Sequence, residues 1–439
     1  MEGAGRGGLA YTGYHTAIDG TPDIEITQAS RGTPGGEYLR RFWQPVAYLR
    51  EIENGTPLRA RVMGEELVVF RDRSGAVGVL HLHCQHRGTS LEYGRVEDHG
   101  LRCCYHGRVF DVDGTILEMP GEPAAERLRA EFKQGAYPVH VFAGIVFAYM
   151  GPLEKQPPFP LYDKYDLPGM KLVPGPRMPF ACNWVQIKEN SMDPAHTAIL
   201  HAWEGMFAGE FGKFPEITWA ETPVGMLYAA SRRVDDKIWV RSTDIMMPNI
   251  HSITSVFEDG RTLKDCAPPW ITIWTVPEDD TISQQFFLCH LAEDDHTPHE
   301  VRSRAMSVGQ TPNRPYAERQ RVPGDYDAMT SQGGIARHSL EHLGTLDQGV
   351  VMFRKLLREG IRDVQAGKDP HGLTRTGEVM ATYASDRVVP MTAMRGDPDD
   401  RAALLQFARQ TASDYLKSPP LLGKPITRPV PLPARAAAE

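Results

Sequence analysis

Residues Cys84–His106 read CQHRGTSLEYGRVEDHGLRCCYH, and the N-terminal third of the fold turns on how they are read. Cys84 and His86 stand one residue apart, Cys103 and His106 two apart, and sixteen residues lie between the pairs. Two thiolates and two imidazoles at these spacings can clamp metal. Two ligations fit: a zinc site, or a two-iron cluster in which two histidines replace two cysteines on one iron. Zinc fingers usually pair Cys with Cys and His with His. Gly88 and Gly107 let the two ligand loops turn tightly and bring backbone amides near the sulfurs.

The context of the pairs separates the readings. Cys-x-His followed by Arg87-Gly88, and a second pair running Cys-Tyr-His-Gly, closely resembles the Rieske ferredoxin motif. That resemblance implies a [2Fe–2S] cluster with thiolates of Cys84 and Cys103 on the inner iron and imidazoles of His86 and His106 on the outer one. Neutral imidazoles lower the negative charge of the cluster and raise its potential. The family spacing selects Cys103 rather than Cys104 as the second thiolate. Arg108 departs from the pattern, which has Trp there.

The flanking sequence reads as β-structure. Residues 58–83 alternate apolar and polar positions around turn signals, and 109–117 hold the hairpin signal Asp113-Gly114. Residues 139–149 form another strand pair. These make a compact all-β domain from 45 to 152. GPLEKQPPFP, at 151–160, is a proline-rich exit from it.

Length and composition bound the rest. The 439 residues call for two or more domains, and 41% hydrophobic with 24% charged residues is ordinary for a globular protein. A net charge of −8 argues against nonspecific nucleic-acid binding. No apolar run is long enough to span a membrane. The N-terminus has no apolar signal core, so a cytoplasmic protein is expected. Six cysteines in so long a chain do not make a disulfide framework. Cys104, Cys182, Cys266 and Cys289 are expected as free thiols.

Beyond Cys182 the pattern changes. MLYAASRRV, KIWVRSTDIM, WITIWTV and TISQQFFLCHLA suggest an antiparallel sheet framing a pocket, with helical signals at 194–203 and 339–366. Arg232, Arg233, Lys237 and Arg241 lie on that sheet, where such charges are usually solvated. The glycine-rich start and the proline-rich tail are expected to be poorly ordered. No glycine-rich phosphate loop occurs.

A second metal site is suggested by WVQIKENSMDPAHTAILHAW, residues 184–203. His196 and His201 are five apart, about 140° around a regular helix, so a helix must open to bring both to one metal. Asp193-Pro194 is a good N-cap and first-turn pair. On a lone pair of histidines, a capped helix with incidental imidazoles would be preferred.

Glu189, Asp193, His196 and His201 together resemble the Glu/Asp-x3-Asp-x2-His-x4-His motif of Rieske oxygenases. Two histidines and a carboxylate leave open positions on ferrous iron for oxygen. The phrase EHLGTLDQ matches the family's carboxylate helix at Asp347, with Glu341 as the other candidate. Leu346, Val350, Phe353, Leu357 and Ile361 form the apolar stripe of that helix.

GGEYLRRFWQPV, both metal motifs and EHLGTLDQGVVMFRKLLREG extend the resemblance over nearly the whole chain. They place it with the phthalate dioxygenase-like oxygenase α-subunits, most similar to the 5,5′-dehydrodivanillate O-demethylases. The resemblance implies an α+β fold: a Rieske domain over 45–152, then a helix-grip-like catalytic domain over 153–417. Residues 1–44 would pack on the catalytic domain, and 418–439 would be a tail. It implies a terminal oxygenase fed by an NADH-dependent reductase, with or without a ferredoxin, and assembled as a trimer or a hexamer of trimers. Asp193 would bridge His106 of a neighbouring subunit to an iron histidine of its own. O-demethylation of a lignin-derived aromatic carboxylate is the expected reaction, with ring cis-dihydroxylation as the alternative. A Rieske electron carrier without catalysis is the contrasting class.

Overall fold

Strands Leu58–Val62, Glu65–Arg71 and Val77–His81, with Ala136–Tyr137 at the far edge, form a four-stranded antiparallel sheet. The run Leu67-Val68-Val69-Phe70 looks too apolar for a sheet with one wet face. The structure explains it: Leu67, Val69 and Val79 enter one core, and Val68, Phe70 and Leu80 enter another. Both faces are buried, so period-two alternation sorts apolar residues between two cores rather than between core and water. The second, smaller core also contains Cys84 and Cys103.

The computed structural model describes residues 18–203, 209–254, 256, 261–391 and 400–423. The glycine-rich start before residue 18 and the proline-rich tail beyond Gly423 lie outside them.

Four short strands, Arg95–Val96, Leu101–Arg102, Val109–Phe110 and Ile116–Glu118, make a second sheet beside the cluster loops. Its last hairpin turns at Asp113-Gly114, where Gly114 takes a φ of 81° and Asp113 Oδ1 accepts a hydrogen bond from Thr115 N at 2.8 Å. A third sheet joins Trp43–Tyr48, Ile145–Tyr149 and Val139–Phe142. This region is not purely β: Ala125–Glu131 is a seven-residue helix.

The remaining chain builds a nine-stranded antiparallel sheet. Along its main path the order is Met170–Phe180, Ser283–Ala292, Ile271–Pro277, Ile250–Ile253, Lys237–Met246, Gly225–Val234 and Glu216–Thr222. Ser385–Pro390 pairs with the first half of Lys237–Met246 and also holds Lys264–Ala267. Met170–Phe180 has three prolines in eleven residues, which conceals it in the sequence. It tolerates them because it pairs on one side only and carries a register shift between Pro174 and Arg177.

The two halves share one large core. Tyr48 Oη accepts from Phe287 N at 2.8 Å and donates to Pro176 O at 2.7 Å, pinning the third sheet to the large one. Met63 N and Gly64 N, in the hairpin after Leu58–Val62, donate to Pro277 O and Glu278 O, both at 2.7 Å.

Helices cover the large sheet. Gln348–Gln365 buries Val350, Phe353, Leu357 and Ile361, whereas Leu346 precedes the helix and is exposed. The expected helical start at 339 is replaced by short turns. The helix packs on Pro34–Leu39, where a Cβ on Gly360 would lie 2.5 Å from the Tyr38 ring. Pro34–Leu39 is itself capped by Thr33, whose Oγ1 accepts from Gly36 N at 3.2 Å. Arg401–Lys417, a helix with no reading in the sequence above, packs on Glu216–Thr222 and Gly225–Val234.

Candidate metal centres

The two cysteine loops are built alike. Cys84 N donates to Thr89 O at 2.9 Å and Gly88 N to Cys84 O at 2.8 Å; Cys103 N donates to Arg108 O at 2.8 Å and Gly107 N to Cys103 O at 3.1 Å. Each loop closes on a glycine at positive φ, 76° at Gly88 and 72° at Gly107, which a side chain would strain. Gln134, buried behind the first loop, accepts from Gln85 N at 2.8 Å and donates to His81 O and His83 O at 2.8 and 3.0 Å.

The ligand types sort by depth. Cys84 and Cys103 are buried, while His86 and His106 are exposed with ring centroids 4.7 Å apart. Burial, and the Cys103 thiol beside it, push the Cys84 thiol up to about 11. Two buried thiols face one another under two exposed imidazoles, and the four donors do not converge on one point. That arrangement fits a binuclear cluster better than a single tetrahedral zinc, which needs all four at one centre. Cys104 is exposed, unlike the buried pair. Cys103→Ala should therefore abolish the visible absorption of the cluster and Cys104→Ala should keep it; equal colour in both purified variants would reverse the choice of thiolate. Burial, and after it the charge of the partly buried Arg108, hold the His86 pKa below its usual value.

The second group forms where the helix Trp184–Ser191 ends. The next eight residues, 192–199, are turns with a single helical turn at His196–Ala198, and Leu200–Trp203 adds another. The helix has opened, as the five-residue spacing requires. His196 Nδ1 donates to Asp193 O, and Thr197 Oγ1 donates to Pro194 O at 2.7 Å. Arg232, 1% exposed, donates from Nη2 to Thr197 Oγ1 at 2.9 Å and holds the turn from the sheet side.

With Nδ1 tied down, His196 turns Nε2 inward. His196 Nε2 lies 3.5 Å from Asp325 Oδ1, and His201 Nε2 lies 3.5 Å from Asp325 Oδ2. These three side chains place ligand atoms within 4.8 Å of one another. Asp325 is buried at the start of the helix Asp325–Thr330. Burial works against its charge, but His201 and His196 and hydrogen bonds from Gln310 and Asn190 outweigh it and hold the carboxyl below its usual range. Two imidazole Nε2 atoms and an ionised carboxylate on one side of a cavity are a donor set for ferrous iron with open positions.

Asp347, the expected carboxylate, is not in this group. Its Oδ2 accepts from Gly344 N at 2.6 Å at the start of Gln348–Gln365, and it lines a groove on the outer side of His196. Glu341 is engaged elsewhere as well. Arg354 donates to it at 2.6 and 3.0 Å and to the buried Glu189 at 2.5 Å. Glu189, Glu341 and His338 also place their ligand atoms together, but the Arg354 guanidinium already supplies the cation.

The Rieske [2Fe–2S] domain model matches residues 42–138. The chain is 42% identical over 423 residues to the tert-butanol monooxygenase / tert-amyl alcohol desaturase oxygenase subunit of Aquincola tertiaricarbonis, covering 88% of this chain and 87% of that protein. It is 38% identical over 378 residues to the phenoxybenzoate dioxygenase subunit alpha of Ectopseudomonas oleovorans, covering 81% and 88%. This chain belongs to the Rieske oxygenase family. The 5,5′-dehydrodivanillate O-demethylase oxygenase subunit of a Sphingobium species matches at 30% over 392 residues, covering 85% and 86%. Rieske oxygenases are enzymes with a [2Fe–2S] cluster and a mononuclear iron centre, which sets the stand-alone electron carrier aside. Among the described residues no helix is long and apolar enough to cross a membrane.

In this Rieske oxygenase the triad opens on a cavity of about 170 Å³ between the large sheet and the helices. Ile187, Ile253, Ile273, Phe287 and Met306 give it apolar walls; Tyr228, Arg241, Thr243, His251 and Gln285 are its polar points on the sheet side. Arg232 and Arg241 depart from the expected solvated face, being 1% and 5% exposed. Both guanidinium groups lie over the Phe211 ring, at 5.1 and 5.3 Å from its centroid. Arg241 also donates to Tyr228 Oη at 2.7 Å. Arg233 and Lys237 follow the expectation, pairing at the surface with Asp400 and Asp236.

Proposed function

We propose that the chain is a terminal oxygenase component that hydroxylates the methoxy carbon of a one-ring aromatic acid and releases formaldehyde. The observation that carries this reading is the apolar cavity of about 170 Å³ ending on His196, His201 and Asp325. A cavity of about 150 Å³ accepts benzene. One substituted ring therefore suits this volume better than the two joined rings of 5,5′-dehydrodivanillate. Arg241 gives a carboxylate a fixed positive charge at the wall.

Cys84, His86, Cys103 and His106 would hold the cluster, and His196, His201 and Asp325 the iron. When bound, the iron supplies oxygen activation and the cluster delivers the electrons. The family's components work with reductase and ferredoxin partners, so those electrons originate outside this chain. The balance is closed: the aryl methyl ether, O2, NADH and one proton give the phenol, formaldehyde, water and NAD+. The protein's part is to hold the methoxy carbon over the triad and to keep bulk water out with its apolar walls.

We read residues 45–152 as the cluster domain and 153–417 as the catalytic one, with the segment before 45 packed on the latter. Assembly as a head-to-tail trimer, or a hexamer of trimers, is part of this reading. In support, His106 is exposed, and none of the described residues lining the cavity or the outer groove comes from the cluster loops of the same chain.

A second reading is hydroxylation of a small tertiary alcohol, favoured by the cavity size and the 42% identical relative. Ring cis-dihydroxylation uses the same triad and differs in which carbon lies over it. Product analysis with a generic reductase separates them, using methoxybenzoates, phthalate, phenoxybenzoate and tert-butanol. Formaldehyde equal to NADH consumed is expected with a methoxybenzoate. A cis-diol, or turnover of tert-butanol alone, would replace the reading, and no substrate-dependent NADH use with any of them would sink it.

A further inference from the structure

Gln310 belongs to none of the motifs above, yet its Nε2 donates to Asp325 Oδ2 at 2.6 Å. Asn190 Nδ2 donates to the other oxygen, Oδ1, at 3.3 Å, the long end of hydrogen-bond distances. On their other side the same two oxygens face the imidazoles, Oδ1 toward His196 and Oδ2 toward His201. The last torsion of an aspartate is soft, so the plane of the carboxylate has to be fixed by its neighbours.

The segment around Gln310 is built to bring it there. Helix His299–Met306 ends at Ser307, whose Oγ donates to Ser303 O at 2.7 Å, and the next turn closes with Gln310 N donating to Ser307 O at 3.1 Å. Gly309, at a φ of 70°, lies against Gly324, the residue before Asp325. Gly309 O accepts from Tyr326 N at 3.1 Å, and a Cβ on Gly324 would sit 2.2 Å from that oxygen. Two glycines in contact let this turn approach the start of Asp325–Thr330 more closely than side chains would allow. The same segment is a wall of the cavity, which Ala305, Met306, Val308 and Gln310 all line.

We propose that Gln310 is a positioning residue for the mononuclear iron: its amide fixes the plane of the Asp325 carboxylate from the turn that also walls the substrate cavity. This rests on the reading of His196, His201 and Asp325 as the iron ligands.

The donor inventory supports it. A metal-binding carboxylate has only acceptors, and the one donor group of a glutamine side chain is its NH₂, so the amide has a single useful orientation here. A donor held on one side of Oδ2 turns the oxygen's remaining electron pairs toward the histidine side. Such outer partners of metal ligands are worth about 10–100-fold in metal affinity or activity.

Gln310→Met keeps the length of the side chain and removes the donor. The mononuclear iron of the holoenzyme is titrated against a ferrous chelator, and in a second preparation cobalt(II) replaces that iron as a spectroscopic probe. In Gln310→Met the iron dissociation constant should rise about 10–100-fold, and the ligand-field absorption of cobalt should shift, with the Rieske spectrum unchanged. Ser307→Ala removes a hydrogen bond from the same turn without touching Asp325. It should keep wild-type iron affinity and the wild-type cobalt spectrum. Wild-type iron affinity in Gln310→Met would overturn the proposal. So would an equal loss in Ser307→Ala, because the order of the turn rather than the amide would then be what matters. Should Gln310→Met fail to fold, Gln310→Asn, whose amide falls one methylene short, is read in the same way. Asp325→Asn separates the two levels. Iron retained there removes the ligand reading and this proposal with it, whereas iron lost there but held normally in Gln310→Met removes this proposal alone.

Discussion

Asp325→Asn should leave the Rieske signal intact and empty the mononuclear site, while Asp347→Asn keeps both metals and most of the turnover. The contrast rests on where the two carboxylates lie. Asp325 reaches His196 Nε2 with one oxygen and His201 Nε2 with the other, each at 3.5 Å. It is buried and held ionised, and Gln310 and Asn190 fix it from behind, with Gln310 Nε2 at 2.6 Å. An amide in its place offers one neutral oxygen and sets an N–H₂ group against a cation. Removing an outer partner of a metal ligand costs roughly 10–100-fold in affinity or activity, and losing a ligand of a three-residue site should cost more. Asp347 only caps the turn at Gly344, so its replacement should cost about 0.5–2 kcal/mol of stability, as N-terminal caps do. Iron analysis of the two purified variants, normalised to cluster absorbance, decides the matter. Iron at wild-type occupancy in Asp325→Asn, or lost in Asp347→Asn, would return the ligand role to Asp347.

The confusion between the two is instructive. Both aspartates begin a helix, and an acidic residue there is favoured by the helix dipole whatever else it does. Nothing within PGDYDAM distinguishes Asp325 from such a charge; only the tertiary packing of its six-residue helix under Trp184–Ser191 does. A phrase resembling a family motif is legible at Asp347, and Asp325 has no local signal of its own. The histidines were legible because their five-residue spacing conflicts with a regular helix, and that conflict marks a site. The cluster loops were legible for a stronger reason, since four ligands and two glycines recur within one short stretch.

Arg232 and Arg241 are hidden by the same locality. Alternation puts Arg232 on one face of its strand, and a charged face is normally wet. Here that face lies under the ligand turn and against Phe211 and Trp239, so the guanidinium is stacked and buried. Met170–Phe180 was hidden by its prolines and Arg401–Lys417 by a weak apolar stripe. Each is an element whose partners, rather than its own residues, stabilise it.

Asp193→Asn should break electron delivery while leaving both metal sites filled. Asp193 Oδ1 accepts from Ala195 N at 2.9 Å, its backbone carbonyl takes the His196 Nδ1 hydrogen bond, and its Oδ2 stands 3.7 Å from that nitrogen. Asparagine keeps the acceptor for Ala195, and the backbone carbonyl is unchanged, so the turn and His196 should stay in place. What is lost is the negative charge on the side that faces the outer groove. If a neighbouring subunit's cluster docks there, His106 is the imidazole that reaches it: it is exposed, lies against Tyr105 with the ring centroids 3.9 Å apart, and is free of the protein core. A carboxylate between two metal-bound imidazoles holds both rings and binds their ring protons more tightly than an amide can. Losing such a partner costs roughly 10–100-fold, and it lies on the one electron route this arrangement provides. The measurement is single-turnover reoxidation of the reduced cluster with substrate and oxygen present. The rate should fall by at least that factor in Asp193→Asn, with iron content and the Rieske spectrum unchanged. Reoxidation at the wild-type rate, or full activity from a protein that sediments as a monomer, would show that electrons reach the triad without crossing a subunit boundary at Asp193.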